Sequence, residues 1–201
     1  LSKWYLHNSV DWDLNTSSDG PMGSNSIRMY DNDATASSTG TFYTLDGGGY
    51  MSTNAETDIW KMSVWVKQDS GNADSYLLAR FRDENGNNIN SGNYGVGEGW
   101  TGTGSYYYWG VSNHQFPQNV WTHYEWIMCP ESYSGYIPCD SRYPAIAVDF
   151  KIGGLLAYHD YYTDGGEGEL TPTTIEIQDY RVELVGSISD STCVGGDYGS
   201  N

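Results

Sequence analysis

From residue 60 to residue 67 the chain alternates without a break: Trp60, Met62, Val64 and Val66 stand on one side, Lys61, Ser63, Trp65 and Lys67 on the other. A period of two is the repeat of an extended backbone, so this segment predicts a strand with one face in a core. The turn residues Asp69-Ser70-Gly71-Asn72 follow. A second run then sets Leu77, Ala79 and Phe81 inward and Arg80 and Arg82 outward, closed by Asp83-Glu84-Asn85-Gly86-Asn87. Together the two runs predict an antiparallel hairpin. Further strands are expected at 26–30, 41–45, 106–111, 120–128, 145–152, 155–159 and 174–185. In the last of them Ile175 and Ile177 keep one phase while Tyr180, Val182 and Leu184 keep the opposite one. A β-bulge near Gln178-Asp179 is expected to return both sets to the core. No segment keeps a helical period, and roughly eight to ten strands predict an all-β protein, a two-sheet antiparallel β-sandwich.

Composition supports this reading. Twenty-five Gly, six Pro, 18 Tyr and eight Trp in 201 residues favour strands joined by tight turns around an aromatic core. Helical bundles and doubly wound α/β folds are excluded. The length predicts a single sandwich domain over residues 1–185, followed by a Gly-, Ser- and Asp-rich tail at 186–201. Nine Lys and Arg against 26 Asp and Glu give a net charge of −17, which repels phosphate backbones and anionic lipid. Nucleic acid is therefore not an expected partner. Membrane insertion is not expected either, since no apolar run approaches the roughly 20 residues a spanning helix needs. The segment Leu1-Ser2-Lys3-Trp4 lacks the plan of a signal peptide, so any export signal is expected to have been removed already.

The densest aromatic stretch is Trp100-Thr101-Gly102-Thr103-Gly104-Ser105-Tyr106-Tyr107-Tyr108-Trp109. A strand through it puts Tyr106 and Tyr108 on one face and Tyr107 and Trp109 on the other, so at least one pair turns away from the core. Outward rings suit stacking on the CH face of a pyranose, with neighbouring polar groups taking the hydroxyls. Tyr94, Trp100, Tyr107 and Trp109 are the candidate glycan contacts, and a glycan or cell-surface polysaccharide is the expected partner. The same rings also suit a covered loop or a subunit contact. Asp11, Asp13, Asn15, Ser17 and Asp19 occur at every second position, as calcium-loop oxygens do, but Thr16 and Met22 stand where such a loop needs Gly and Glu. Solvated turns explain such acidic stretches equally well in a chain with 26 acids.

Glycoside hydrolysis by paired carboxylates is the enzyme alternative. Glu125, Glu176 and Glu183 are the strand-borne glutamates, and alternation sets Glu125 and Glu183 on the water side. His7, His114, His123 and His159 show no metal-ligand spacing, and no Gly-rich loop forms a phosphate cradle. Cys129 and Cys139 bracket a Pro- and Tyr-rich loop that a disulfide can close outside the cytoplasm. Cys193 then remains as a free thiol or an intermolecular link, or it takes one of the two and leaves the other unpaired. The tail holds too little apolar surface to order itself. A bond through Cys193, or docking on a neighbouring copy through Ile188, Val194 and Tyr198, is expected to anchor it.

A succession of segments runs through the chain in order. It begins with Asn8-Ser9 and Trp12, then Asp19-Gly20-Pro21-Met22-Gly23-Ser24-Asn25-Ser26-Ile27-Arg28-Met29, then Lys61-Met62-Ser63-Val64-Trp65-Val66-Lys67. Phe81-Arg82-Asp83-Glu84-Asn85-Gly86-Asn87, Trp121-Thr122-His123-Tyr124-Glu125 and Ile175-Glu176-Ile177-Gln178-Asp179-Tyr180-Arg181-Val182-Glu183-Leu184 follow. Over about residues 8–185 this resembles the galactose-binding-like jelly rolls of the family 4/9 type of carbohydrate-binding module, and their relatives in phage tail fibres and other virion proteins. The resemblance implies a two-sheet jelly roll without catalysis, with a glycan in a cleft on one sheet or at loop tips. It also implies a structural calcium near the first and last strands, with Asp179 at the matching acidic position beside the early Asp11 and Asp13. The resulting expectation is an adhesion or structural subunit of an extracellular or virion-surface assembly, such as a tail fibre or decoration protein, acting as a homo-oligomer or in a larger virion or filament assembly. A jelly-roll glycoside hydrolase, or a purely structural filament or capsid-decoration subunit without ligand, is the alternative.

Overall fold

The computed structural model describes residues 4–7, 12–17, 20–23, 25–31, 40–44, 50–70, 75–90, 100–103, 106–109, 116–156 and 174–188. In chain order the strands are β1 (Trp4–His7), β2 (Trp12–Ser17), β3 (Ser26–Asp31), β4 (Gly40–Thr44), β5 (Met51–Ser52), β6 (Asp58–Ser70) and β7 (Ser75–Arg82). They continue with β8 (Trp100–Thr103), β9 (Tyr106–Trp109), β10 (Thr122–Cys129), β11 (Ser141–Arg142), β12 (Asp149–Leu156) and β13 (Thr174–Ser187). A seven-stranded sheet runs β1-β4-β12-β7-β9-β8 with β5 added beside β12, and a six-stranded sheet runs β11-β10-β6-β13-β3-β2. All pairings are antiparallel except the short one between β10 and β11. The fold is the all-β, two-sheet sandwich expected from the alternation.

The apolar faces fall where the sequence sets them. Met62, Val64 and Val66 of β6 and Leu77, Ala79 and Phe81 of β7 are buried in one core with Phe116, Trp126, Met128, Tyr143, Phe150 and Ile152. The core is aromatic: Phe150 meets Trp60 edge-on at 5.3 Å between ring centroids, and Phe81 lies 6.3 Å from Tyr143. The buried Tyr143 hydroxyl donates to the carbonyls of Asp58 and Asn54, so its polar tip is satisfied.

The expected hairpin of β6 and β7 does not form. β6 lies between β10 and β13 in the six-stranded sheet, and β7 lies between β12 and β9 in the other. Alternation identifies which face of a strand is apolar, and both a hairpin and two stacked sheets satisfy that condition. The expected strands at 145–152 and 155–159 are not separate where they are described, and residues 157–159 lie outside the described residues. Residues 145–148 form a turn, in which Ala147 N–H donates to the Pro144 carbonyl, and one strand, β12, runs through Gly153 and Gly154.

The bulge is present in β13. Ile177 faces Val66 and Val182 faces Met62, so five steps on β13 match four on β6, and Asp179 takes up the extra residue at φ 54°. Ile175 and Ile177 are buried on one side of it, and Tyr180 and Val182 pack on the same core beyond it. Leu184 departs from the expectation: it is 55% exposed, just before β13 shifts register again at Gly186. The strand ends beside Ile188, whose N–H donates to the Thr57 carbonyl.

Cys129 and Cys139 form the disulfide, with Cα atoms 5.9 Å apart across ten residues. It closes the connection from β10 to β11. By loop-closure entropy the bridge contributes about 2–3 kcal/mol. Reduction is expected to lower the urea midpoint accordingly, and an unchanged midpoint would show that the bridge does not constrain the unfolded chain.

Candidate functional site

Residues directly opposite each other in a sheet share a face, so register assigns every strand position to one side of the sandwich. In the seven-stranded sheet the inward row is fixed by the buried Leu77, which pairs with Trp109, which in turn pairs with Trp100. On the other side of Leu77 the same row continues through Gly154, Phe42 and Leu6. Tyr107 pairs with Ala79, also buried. Trp100, Tyr107 and Trp109 thus stand in register with the buried Leu77 and Ala79. Tyr94 lies outside the described residues.

The alternate register row is one position away and crosses the whole sheet. It runs Tyr5, Tyr43, Gly153, Leu78, Tyr108, Thr101, each paired with the next. Three tyrosines share this register row with Gly153, which is itself buried. Leu78 is 0% exposed without being a member of the core cluster, and Gly153 beside it is buried as well. Sequence reasoning missed the row because both phases of residues 106–109 are aromatic, and only pairing with Leu77 or Leu78 tells them apart.

Next along the same face, Lys151 pairs with Arg80, and Asp149 pairs with Arg82. Arg82 Nε and Nη2 bond both oxygens of Asp149 at 2.8 and 2.6 Å. Its guanidinium lies 3.5 Å from the Tyr50 ring centroid, and Lys151 Nζ lies 5.0 Å from the same ring. Burial first, then Arg80 and Arg82, push the Lys151 ammonium down to about 8.

The outward face of the six-stranded sheet is built differently. Trp65 and His123 stack at 4.8 Å, and Lys67 lies 5.2 Å from the Trp121 ring centroid. Around them the polar groups bond one another. Lys61 Nζ holds Glu125 at 2.6 Å, Lys67 Nζ holds Asp69 at 2.8 Å, and Ser26 Oγ donates to Glu176 at 2.8 Å. Lys61 keeps the exposed Glu125 carboxyl below its ordinary value, while burial raises Glu176, which is 1% exposed. Met22 N–H donates to Gln178 Oε1, and Gly20 packs so tightly on Gln178 that a side chain there would collide with it. Glu125 and Glu183 are exposed, as alternation requires.

Two further arrangements were expected from the sequence. Asp13 pairs with Tyr30, which pairs with Thr174, whereas Asp179 lies five residues further along β13, roughly 16 Å at the usual rise per residue. Asp179 Oδ1 instead accepts from Arg181 Nε at 2.8 Å. The structure therefore does not bring Asp13 and Asp179 together, Asp11 lies outside the described residues, and no cluster of three metal-ligating side chains occurs among those described. Of the tail anchors only Ile188 is described. Cys193, Val194 and Tyr198 lie outside. An open pocket of about 600 Å³ at one end of the sandwich is lined by Asn54, Glu56, Asp83, Glu84, Asn85 and Ile146 among others. Its Asp83 carboxylate is occupied by the N–H groups of Asn87 and Asn85, which hold it below the ordinary carboxylate value.

Three solved structures share the fold. The enzymatically active domain of bacteriophage CBA120 tailspike protein 4 aligns with a TM-score of 0.54 at 16% identity, over 92% of this chain and 20% of that one. A family 30 carbohydrate-binding module aligns with a TM-score of 0.51 at 11% identity, over 90% of this chain and 81% of that one. The tandem of two family 22 modules from Paenibacillus barcinonensis Xyn10C aligns with a TM-score of 0.50 at 10% identity, over 92% of this chain and 46% of that one. This chain thus spans a fifth of the tailspike chain. The likeness establishes a jelly-roll β-sandwich of the kind these carbohydrate-binding modules adopt. No family model and no curated protein sequence matches the chain.

Proposed function

We propose that this chain is a non-catalytic carbohydrate-binding module that holds a polysaccharide across the outward face of the seven-stranded sheet. In this reading it serves as an adhesion or structural subunit at an extracellular or virion surface. The observation that carries the proposal is the alternate register row of Tyr5, Tyr43, Gly153, Leu78, Tyr108 and Thr101. Tyrosine offers an apolar ring for the sugar face and a hydroxyl for its rim. The fold shared with the carbohydrate-binding modules supports the same reading by analogy.

Absence of catalysis is part of the proposal. Paired-carboxylate hydrolysis needs two acids facing each other across a cleft. The three strand-borne glutamates considered for it lie on the other sheet, where Glu125 is tied to Lys61 and Glu176 to Ser26. Affinity electrophoresis through gels containing xylan, soluble cellulose derivatives, galactan or polygalacturonate tests the binding. Retardation by at least one of these, with no release of reducing ends, is expected. Free migration through all of them, or steady release of reducing sugar, would overturn the reading.

A further inference from the structure

The outward face of the six-stranded sheet carries a strip of rings. Trp65 on β6 stands directly opposite His123 on β10, and the two rings stack at 4.8 Å between centroids. Trp121, two residues before His123, belongs to the same face. Its ring centroid lies 5.2 Å from the ammonium of Lys67, which shares the outward phase of β6 with Trp65. The core side of these strands is already filled by Met62, Val64, Val66 and Trp126. His123 is exposed, and Trp65 and Trp121 are half-buried, so the three rings leave apolar surface in water.

Charge around the strip is balanced locally. Lys61 holds Glu125 at 2.6 Å, Lys67 holds Asp69 at 2.8 Å, and Arg181 holds Asp179 at 2.8 Å. Glu125 and Arg181 both stand opposite Ser63, two residues before Trp65, whereas Lys67 is two residues after it. Paired charges therefore border the rings on both sides along β6. In a chain with 26 Asp and Glu against nine Lys and Arg, this makes a surface of matched charge. Such groups are fixed in place by their partners, and their remaining donor and acceptor positions suit sugar hydroxyls. An anionic sugar gains little from cations that carboxylates already neutralise. A neutral sugar sets its CH face on the rings and its hydroxyls on the paired groups. We propose that the strip of Trp121, His123 and Trp65 is a glycan site of its own, selective for neutral polysaccharides. It lies on the other sheet from the tyrosine row and goes beyond the reading of that row.

Titration calorimetry tests the proposal with cellotetraose, xylotetraose and galactotetraose as neutral probes and tetragalacturonate as the charged one. The unaltered chain is compared with Trp65→Ala, His123→Ala and Tyr108→Ala, each checked for an unchanged fold by circular dichroism. At least one neutral probe is expected to bind roughly ten-fold more weakly to Trp65→Ala and several-fold more weakly to His123→Ala. Any binding of tetragalacturonate is expected to be the same in both ring variants as in the unaltered chain. Two ring variants are used so that misfolding of one leaves the other as the test. Neutral affinities within about two-fold of the unaltered chain in the folded ring variants overturn the inference, by showing that the stacked pair only steadies the sheet. A fall confined to Tyr108→Ala gives that result and leaves the reading of the seven-stranded sheet standing. Equal loss of neutral and charged probes in the ring variants overturns the selectivity for neutral sugars. Failure of every probe to bind the unaltered chain overturns the inference, and free migration through every gel polysaccharide overturns the reading of the other sheet as well.

Discussion

Phe150→Ala is expected to remove about 3–5 kcal/mol of folding stability, a large share of the roughly 5–15 kcal/mol such a domain has in total. Phe150 is fully buried on β12 and contacts rings from both sheets, Trp60 on β6 at 5.3 Å and Phe81 on β7 at 6.1 Å. Truncation forfeits the transfer of the ring from water and leaves a cavity that neighbouring aromatic rings, being rigid, fill poorly. The edge-on contact with Trp60 adds its own increment. Tyr136→Ala is the control, because Tyr136 is 100% exposed and its loss is expected to fall within about 0.5 kcal/mol. Urea denaturation of the two variants gives the comparison. A loss below about 1 kcal/mol for Phe150→Ala would mean that the two sheets do not pack through this ring.

What the sequence made legible was the content of each strand, and what it left open was the neighbour of each strand. Alternation over residues 60–67 named the buried side of β6, and Met62, Val64 and Val66 are all buried there. The same alternation was silent on partners, so β6 and β7 were expected as a hairpin when they face each other across the core. The phase change in the last strand was a stronger signal. A strand whose apolar set switches sides has to insert a residue or expose half of them, and Asp179 is that residue. The spacing of Cys129 and Cys139 pointed to a short closed loop, and the disulfide forms it.

Site residues were harder to read for the same reason. Aromatic density at 100–109 located the edge of the sheet, but alternate residues there carry rings in both phases. Which set faces out depends on the register against β7, and β7 itself offers two adjacent leucines, Leu77 and Leu78, either of which suits a core. Nor does local sequence reveal that Arg80 will stand opposite Lys151, since those residues meet only through the pairing of β7 with β12. On the six-stranded sheet the outward Trp65 was visible in the alternation, whereas its stacking on His123 depends on the pairing with β10.

The central claim is that the outward face of the seven-stranded sheet binds a polysaccharide, and the pair Tyr108→Ala and Trp109→Ala tests it most directly. The two residues are adjacent in sequence and opposite in phase, Tyr108 paired with Leu78 and Trp109 with Leu77. Gel retardation and the thermal midpoint are measured on both variants and on the unaltered chain, in the polysaccharide that retards the latter most. Loss of one stacking ring, at about 1 kcal/mol or somewhat more, corresponds to a fall in affinity of roughly ten-fold. Tyr108→Ala is expected to show that fall with its midpoint unchanged, and Trp109→Ala to melt earlier while the fraction still folded keeps its retardation. Unaltered retardation in Tyr108→Ala, or loss of retardation in Trp109→Ala at an unchanged midpoint, would contradict the account.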